Sequence, residues 1–325
     1  MKAIAYYHYG SAEVLRCEDI PKPTPGDHEV LIRIHAASAN PYDWHFMRGE
    51  PYFLRLIAGL SKPKKTRLGA DGAGQVEAVG RNVTQFKPGE AVFGVCRGAF
   101  AEYACASEQA LAAKPDNVTF EQAASAPIAA LTALQGLRDK GKIQLGQKVL
   151  INGAASGVGT FAVQIAKSFG AEVTGVCSTR NLEMVRSIGA DRAIDYTRED
   201  FTKGAQHYDI IFDCFATHSL SSCRRALTPK GIYVGVGGAA GPWMIGLILV
   251  RPITALAVSP FVSQKFTSVH AKPNKGDLTI IGELMAAGRV TPVIDRRYTL
   301  VEVPEAIRYL EEGHARGKVV INLQN

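Results

Sequence analysis

Residues 151–159 read Ile-Asn-Gly-Ala-Ala-Ser-Gly-Val-Gly, and they join a predicted buried strand at 147–152 to a predicted helix at 160–169. Small residues in such a turn let backbone amides approach a pyrophosphate, and the helix N-terminus adds a partial positive charge. Ala154 and Ser156 replace the first two glycines of the G-x-G-x-x-G pattern, so the motif by itself is weak. The evidence for a dinucleotide-binding turn is instead its position between a strand and a helix. The alternative is a glycine-rich turn that only packs a helix against a strand. We predict a dinucleotide-binding turn whose cofactor contacts are Ala155, Ser156, Gly157, Val158 and Gly159.

The residues after this turn continue to alternate strands with helices. Further strands are predicted at 172–177, 192–195, 209–213 and 232–236, with helices at 182–188 and 220–227. Such alternation is typical of βαβ units and a parallel sheet. We therefore predict a doubly wound α/β domain over residues 122–265.

The first part of the chain has a different pattern. Short apolar segments at 29–36, 74–79 and 91–95, the first and last of them after Pro-Gly turns, predict a β-rich, barrel-like half. After residue 276 the pattern predicts two helices and a final strand at 318–323.

Composition limits the class of protein. The chain has 325 residues, 46% of them hydrophobic, and a formal net charge of +7, and this length favours two domains. The basic cluster at 62–67 is interpreted as a solvated loop, because no aromatic residues alternate with it as they do in nucleic-acid sites.

Six cysteines without C-x-x-C spacing indicate reduced thiols. With no secretory pattern at the N-terminus, we expect a cytoplasmic protein.

The longest apolar stretch is residues 243–250, followed by Arg251-Pro252 and a second apolar run to residue 262. A membrane span needs about 20 uninterrupted apolar residues. We expect a pocket wall or a subunit interface here, with peripheral membrane contact as the lesser alternative.

The end of the strand after the turn bears on the choice of cofactor. An NAD-selective site has an Asp or Glu there for the ribose 2′-hydroxyl, whereas this chain has Ser178-Thr179-Arg180. Two hydroxyls and a guanidinium are donors for a 2′-phosphate, so NADPH is predicted over NADH. The alternatives are that Ser178 caps the next helix and that Arg180 is a solvated side chain.

Several motifs in the right order resemble the medium-chain dehydrogenase/reductase superfamily and its zinc-independent quinone oxidoreductase branch. They are Asn40-Pro41-Tyr42-Asp43, Gly69-Ala70-Asp71, Lys87-Pro88-Gly89-Glu90, Leu131-Thr132-Ala133, the turn at 153–159, Ile188-Gly189-Ala190-Asp191 and Gly317-Lys318-Val319-Val320. The resemblance implies a Rossmann domain inserted in a GroES-like catalytic domain formed by residues 1–121 and 266–325. It also implies a homodimer.

The zinc positions of related alcohol dehydrogenases correspond by resemblance to Asn40, Ala70 and Ile128 here. None of these side chains is a thiolate, imidazole or carboxylate, which are the ligands that Zn²⁺ requires. We therefore predict no catalytic metal. Without that Lewis acid, direct alcohol oxidation is disfavoured.

A zinc-free member can still transfer hydride from NADPH to a quinone or another conjugated carbonyl, because hydrogen-bond donors can stabilise the delocalised charge. The candidate donors that the resemblance places at the substrate are Tyr42, His45 and Tyr52. The alternative for either tyrosine is a buried ring with a satisfied hydroxyl. Asn40 and Thr132 are expected to contact the nicotinamide. We expect Asp71 to be an orienting carboxylate or an ion-pair partner.

The resemblance suggests three more cofactor contacts. Tyr196 would stack near the adenosine, while Gly235 and Gly237 of the stretch 235–238, and Lys318, would approach the cofactor. The alternatives are an ordinary strand-end turn for the glycines and a solvated side chain for Lys318.

Other functions remain open on the sequence alone. An enone or enoyl reductase would use the same hydride chemistry on a different acceptor. A non-catalytic NADPH-binding sensor or structural protein would bind the cofactor without turnover. An RNA-binding role for residues 62–67 has little support and would require salt-dependent binding.

Overall fold

The computed structural model describes residues 1–236 and 263–323. The strands, in chain order, are β1 Lys2–Ala5, β2 Arg16–Asp19, β3 Glu29–Ala39, β4 Asp71–Val79, β5 Ala91–Val95, β6 Tyr103–Ser107, β7 Leu111–Ala113, β8 Lys148–Asn152, β9 Glu172–Cys177, β10 Arg192–Asp195, β11 Tyr208–Asp213, β12 Leu227–Val236, β13 Lys265–Val269, β14 Ile294–Thr299 and β15 Lys318–Asn322. The helices are α1 Pro41–Arg48, α2 Arg55–Ala58, α3 Phe120–Ser125, α4 Pro127–Gln135, α5 Gly157–Ser168, α6 Leu182–Ser187, α7 Leu220–Arg225, α8 Lys275–Ala286 and α9 Val303–Glu311.

The chain forms two compact units. Unit 1 consists of Met1–Leu131, Lys272–Gly288 and Ile294–Asn325, and unit 2 consists of Thr132–Ala271 and Arg289–Val293. The domain limits predicted above, 1–121, 122–265 and 266–325, stay a prediction. In the structure α3 packs against β3 and β4 with Ala123 and Ala124 buried. This packing keeps the residues just after 121 with unit 1.

Unit 2 is built around a parallel sheet. Its strand order is β10-β9-β8-β11-β12-β13, and each neighbouring pair is parallel. Counted along the chain this is the order 3-2-1-4-5-6 of doubly wound dinucleotide-binding domains. In β8, Val149, Leu150 and Ile151 are all buried, as expected for a central strand covered on both faces. The predicted parallel domain is confirmed.

Unit 1 is β-rich and is closed by the last described strand. Its main sheet has the order β14-β15-β3-β4-β5-β7, and β6 also pairs with β3. Strand β15 lies antiparallel to β3, with Val319 opposite Ala39. The fold class predicted from the sequence, a Rossmann-type α/β unit inserted in a β-rich GroES-like unit, is confirmed.

Most predicted elements occur within a few residues of their expected limits. The largest shift in the first βαβ unit is at α5, which begins at Gly157 rather than residue 160. Ser156 explains this early start, because its side chain accepts a hydrogen bond from the Gly159 amide and caps the helix. Among the described residues, no helix is long and apolar enough to cross a membrane. The apolar stretch 243–262 lies outside the described residues.

Candidate functional site

The register of unit 1 gathers a group of buried polar side chains where β3 ends. Ser38 lies opposite Asp71 in the β3–β4 pair. Lys318 is the residue before Val319, which lies opposite Ala39, so Lys318 comes beside Asn40. Sheet pairing therefore brings together residues from three distant parts of the chain. We call Ser38, Asn40, Asp71 and Lys318 the polar cluster.

Hydrogen bonds connect every member of the polar cluster. The Asn40 carboxamide accepts from Lys318 Nζ at 2.6 Å and donates to Asp71 Oδ2 at 2.9 Å. Lys318 Nζ also lies 3.4 Å from Asp71 Oδ2, which accepts from the Ser38 hydroxyl at 3.1 Å. A second amide proton of Asn40 reaches the Ser38 carbonyl at 3.2 Å. Both amide protons of Asn40 are thus used inside the protein, so its side chain can reach a ligand only as an acceptor.

The polar cluster contains a buried ion pair. Lys318 is 3% exposed and Asp71 is fully buried. Burial raises the pKa of Asp71, while the Lys318 ammonium and the Asn40 amide act in the opposite direction. Burial lowers the pKa of Lys318, and Asp71 opposes this change. The alternative interpretation of Lys318 as a solvated side chain is wrong, whereas the ion-pair interpretation of Asp71 is confirmed.

Asp43, in the first turn of helix α1, hydrogen-bonds to the backbone beside the polar cluster. Its carboxylate accepts from the Asn40 amide at 2.8 Å, as the N3 residue of a capping box does, and from the Gly69 amide at 3.0 Å. Burial raises the pKa of Asp43 to about 7 against these two hydrogen bonds. Asn40 is therefore held through its backbone by Asp43 and through its side chain by Asp71 and Lys318.

Two of the positions that the resemblance relates to a zinc site, Asn40 and Ile128, both hydrogen-bond to Asp71 in the structure. The Ile128 amide donates to Asp71 Oδ1 at 3.0 Å, and Asp71 in turn contacts Asn40. The donor atoms gathered here are a carboxamide and a carboxylate that is already paired with an ammonium ion, so they do not fit Zn²⁺. Across residues 1–236 and 263–323, no group of three or more His, Cys, Asp or Glu side chains could hold a metal ion.

The three predicted substrate-side donors have different surroundings. Tyr42 and Tyr52 are 45% and 69% exposed, so the alternative of buried rings is wrong for both. His45 is 7% exposed, and its Nδ1 lies 3.0 Å from the Glu50 carbonyl oxygen. Because a carbonyl only accepts, Nδ1 carries the proton and Nε2 of the neutral ring is an acceptor. That Nε2 has no partner among the described residues. The sequence-based hypothesis requires His45 to donate a hydrogen bond to a substrate oxygen. Neutral His45 cannot do so through Nε2, because that nitrogen carries no proton.

In unit 2 the turn between β8 and α5 has the geometry that its small residues require. Gly153 has φ +83°, a left-handed conformation that glycine adopts without strain. A Cβ at Gly159 would lie 2.0 Å from the Gly153 carbonyl oxygen, so the helix can approach the strand only with glycine there. Ser156 accepts from the Gly159 amide at 3.0 Å. The amides of Gly157 and Val158 have no partners within the helix, as is general for a first turn.

Asp213, the last residue of β11, was not predicted as a site residue from the sequence. Asp213 is fully buried and accepts from Asn152 Nδ2 at 2.8 Å and from the Tyr233 hydroxyl at 2.8 Å. The amides of Phe215 and Ala216 donate to the same carboxylate, which fixes the loop that packs against Gly153. A charged residue directly after the apolar run 210–212 was the available signal. Asp213 thus supports the phosphate-binding turn without belonging to it.

The predicted 2′-phosphate site has an acidic neighbour, Asp195, that was not predicted from the sequence. Thr179 and Arg180 are exposed and Ser178 is half-buried. The Thr179 hydroxyl donates to Asp195, the last residue of the adjacent strand β10. This hydrogen bond holds the pKa of Asp195 below its usual range, together with the Thr197 hydroxyl and amide. Asp195 is therefore ionised, and the Thr179 proton is already used.

The remaining predicted cofactor contacts are spread over both units. Tyr196 is exposed, and its amide donates to the Cys177 carbonyl at 3.1 Å, so its ring lies at the same sheet edge as Ser178. Ala155 and Thr132 are buried, and Gly235 lies near the end of β12. Gly237 lies outside the described residues. Asn40 and Lys318 are brought together in the polar cluster, as described above.

Comparison with known proteins agrees with this architecture. Residues 26–116 match the family model of the alcohol dehydrogenase GroES-like domain, and residues 188–321 match the zinc-binding dehydrogenase model. A chloroplast envelope quinone oxidoreductase homolog of Arabidopsis thaliana is 31% identical over 99% of this chain and 98% of its own length. The chain belongs to the medium-chain dehydrogenase/reductase superfamily. Within this superfamily it falls in the quinone oxidoreductase-like branch.

Two more members of the superfamily are close to this chain. The NADPH-dependent alkenal/one oxidoreductase of Arabidopsis thaliana chloroplasts is 33% identical over 99% of this chain and 79% of its own length. The solved quinone oxidoreductase of Coxiella burnetii superposes with a TM-score of 0.86 at 30% identity, covering 100% of this chain and 99% of its own. The superfamily prediction is therefore confirmed.

Proposed function

We propose that this protein is an NADPH-dependent oxidoreductase that transfers hydride to a quinone or another conjugated carbonyl without zinc. The observation that carries the proposal is the polar cluster. Lys318 brings a buried ammonium ion to within 3.4 Å of Asp71 and 2.6 Å of Asn40. By resemblance, Asn40 corresponds to a metal-ligand position of the related zinc enzymes. An ammonium ion paired with Asp71, the carboxylate of the cluster, together with a carboxamide at position 40, leaves no set of ligands for Zn²⁺.

The residues of unit 2 fit a dinucleotide. Bound NADPH would supply the hydride and the reducing electrons. The turn at 153–159 offers small residues and the amides of Gly157 and Val158 for the pyrophosphate. Gly153 and Gly159 allow the close approach of backbone that this binding requires. Tyr196 offers an exposed ring for the adenosine.

On the substrate side we assign the donor role to Tyr42 and Tyr52. Hydride addition to a conjugated carbonyl places negative charge on oxygen, and a phenol hydroxyl can stabilise that charge. Partial burial and the neighbouring Asp43 raise the pKa of Tyr42, so its hydroxyl keeps its proton. His45 does not fit this role as a neutral ring, because Nδ1–H donates to the Glu50 carbonyl. Lys318 and Asp71 act as positioning residues through Asn40.

The preference for NADPH rests on Ser178 and Arg180 and is opposed by Asp195. A guanidinium favours a 2′-phosphate, while an ionised carboxylate beside Thr179 repels it. Arg180→Ala should raise the KM for NADPH roughly 10- to 100-fold with little effect on NADH, the range expected for one charge-assisted hydrogen bond. Asp195→Asn should lower the KM ratio of NADPH to NADH. Equal changes for both cofactors in Arg180→Ala would disprove the assignment.

The activity is tested by following NADPH oxidation by the purified, chelator-treated protein with a panel of quinones and α,β-unsaturated carbonyls, and with NADH in parallel. Turnover in the presence of chelator would support zinc-free reduction and identify the acceptor class. Tyr42→Phe and Tyr52→Phe should lower kcat and leave cofactor binding unchanged. Loss of activity on chelation, restored by Zn²⁺, would overturn the proposal.

The same experiment addresses the other candidate functions. Reduction of alkenals or enones with slow turnover of quinones would select the enone reductase, the activity named for the 33% identical Arabidopsis relative. NADPH binding without turnover of any acceptor would select a sensor or structural role. Sedimentation of the purified protein would test the homodimer that we also propose.

A further inference from the structure

Residues 52–67 of unit 1 form a segment with an unusual surface. Leu56, Ile57 and Leu60 are 70%, 68% and 71% exposed. Tyr52 and Phe53 at the start of the segment are exposed as well. Single exposed apolar residues are ordinary, but large ones gathered in one short segment mark an interaction surface. We call residues 52–67 the basic–apolar segment.

The large apolar side chains of helix α2 are exposed, while its one charged residue, Arg55, is half-buried and bonded to the protein. Arg55 donates from Nε to the Gly49 carbonyl at 3.1 Å and from Nη2 to the Arg48 carbonyl at 3.2 Å. Its guanidinium carbon also lies 4.5 Å from the centre of the Tyr9 ring. This is the reverse of an ordinary surface helix, which exposes its charges and buries its aliphatic side chains.

Several contacts give the segment a fixed shape. The Tyr9 hydroxyl donates to the Gly59 carbonyl at 2.6 Å, and the Lys64 amide donates to the Ala58 carbonyl at 2.7 Å. Gly59 has φ +121°, and a Cβ there would lie 2.1 Å from the Lys62 carbonyl oxygen. The exposed apolar side chains are thus presented on a folded loop.

The charge of this surface has one sign. Residues 51–70 contain Arg55, Lys62, Lys64, Lys65 and Arg67 and no Asp or Glu. Lys62, Lys64 and Lys65 are exposed. In the part of the chain that the structure describes, no acidic side chain lies within ion-pair distance of these three lysines. Exposed lysines and exposed aliphatic side chains therefore lie in one short segment, and the hydrogen bond from the Lys64 amide to the Ala58 carbonyl holds its two halves together.

We propose that the basic–apolar segment docks the protein on a membrane surface that contains anionic phospholipid. Lysines beside exposed aliphatic side chains match the boundary where phosphate headgroups meet acyl chains. A second copy of the chain would bring like charges together. The core of a protein interface is depleted in lysine. A nucleic acid would need stacking rings among the lysines, and both rings of the segment lie at one end of it.

This surface would hold the protein at the membrane without a spanning helix. Each lysine near an anionic surface contributes roughly a factor of five to ten in affinity, and the apolar side chains add their own burial. The inference does not depend on the proposed reaction, because lipid binding needs neither cofactor nor substrate.

The test is co-sedimentation of the full chain with vesicles of phosphatidylcholine, with and without phosphatidylglycerol. The wild-type protein should bind only the vesicles with phosphatidylglycerol. Binding should weaken when the salt is raised from about 0.1 M to about 1 M, which shortens the screening length from about 10 Å to about 3 Å. The variant K62E/K64E/K65E should bind at least about a hundredfold more weakly. The control K87E/K140E/K230E has the same charge change at exposed lysines elsewhere and should bind like wild type.

A second variant separates the apolar part. L56S/I57S/L60S should also lose vesicle binding while keeping the wild-type circular dichroism spectrum and the wild-type KM in the absence of lipid. Equal losses in the control and in K62E/K64E/K65E would overturn the proposal, since only net charge would then matter. A raised KM of L56S/I57S/L60S without lipid would show instead that these side chains form a substrate wall. A change in sedimentation coefficient without lipid would identify an interface between copies.

Discussion

Replacing Lys318 by Met tests whether the polar cluster depends on its ammonium ion. The substitution keeps most of the aliphatic volume but leaves Asp71 buried without its partner. With an effective dielectric constant of about 20, two charges 3.4 Å apart attract by about 5 kcal/mol. Removing one member of a buried pair costs about 3–5 kcal/mol in measured cases. We expect the Lys318→Met variant to lose roughly that free energy of unfolding, and its Tm to fall by roughly 10 °C.

The change can be observed in unit 1 alone. The chain has two tryptophans, Trp44 and Trp243, and Trp44 is buried in helix α1. In a Trp243→Phe background, urea unfolding followed by tryptophan fluorescence therefore reports on the unit that contains the polar cluster. Adding Asp71→Asn should recover about 2–4 kcal/mol of the loss, because the uncompensated carboxylate is removed.

A surface ion pair serves as the control. Lys22 and Glu77 pair in an exposed position, so Lys22→Met should cost less than about 1 kcal/mol. A loss of less than about 1 kcal/mol for Lys318→Met as well would show that the polar cluster does not depend on its ammonium ion. A further loss of stability on adding Asp71→Asn to the Lys318→Met variant would show the same.

Two further predictions concern the phosphate-binding turn and His45. Gly159→Ala should abolish NADPH binding measured by fluorescence titration, because the new Cβ would lie 2.0 Å from the Gly153 carbonyl oxygen. The control Gly204→Ala should bind NADPH normally, because the atom nearest to its new Cβ is 3.8 Å away. Burial lowers the pKa of His45 below its unfolded value of about 6.5, so the unfolded state takes up the proton first. The contribution of His45 to the free energy of unfolding is therefore fully present above about pH 6.5. It is lost as the pH falls below that value, by up to about 1.4 kcal/mol per pH unit. His45→Gln should reduce this slope in urea unfolding at pH 5–7, and an unchanged slope would contradict the assignment.

Hydrophobic periodicity and turn residues in the sequence predicted the individual helices and strands, which depend on neighbouring residues in the chain. The order of strand, glycine turn and helix at 147–169 was sufficient for the dinucleotide-binding unit, since periodicity and turn chemistry act over short distances. Strands β5, β9 and β10 begin and end where the pattern predicts.

Contacts between distant residues were harder to predict. Lys318 was expected near the cofactor, but its bonds to Asn40 and Asp71 follow from the pairing of β15 with β3, a register that the sequence does not state. Asp195 approaches Thr179 because β10 lies beside β9 in the sheet, although the two residues are separated along the chain. The proton position on His45 depends on a carbonyl oxygen that only the folded loop supplies.

The place of Lys318 in the chain has a consequence for folding during synthesis. Strand β15 is made after all of unit 2, yet it supplies the cation for a carboxylate in β4. Until β15 docks, Asp71 has no ammonium partner. Burying its carboxylate in the part of unit 1 that is already made would then carry an uncompensated desolvation cost. Unit 2, which is almost continuous in the chain, can fold first as an independent body. Residues 1–131 of unit 1 are therefore made before unit 2, but they complete their structure only after β15 has been made.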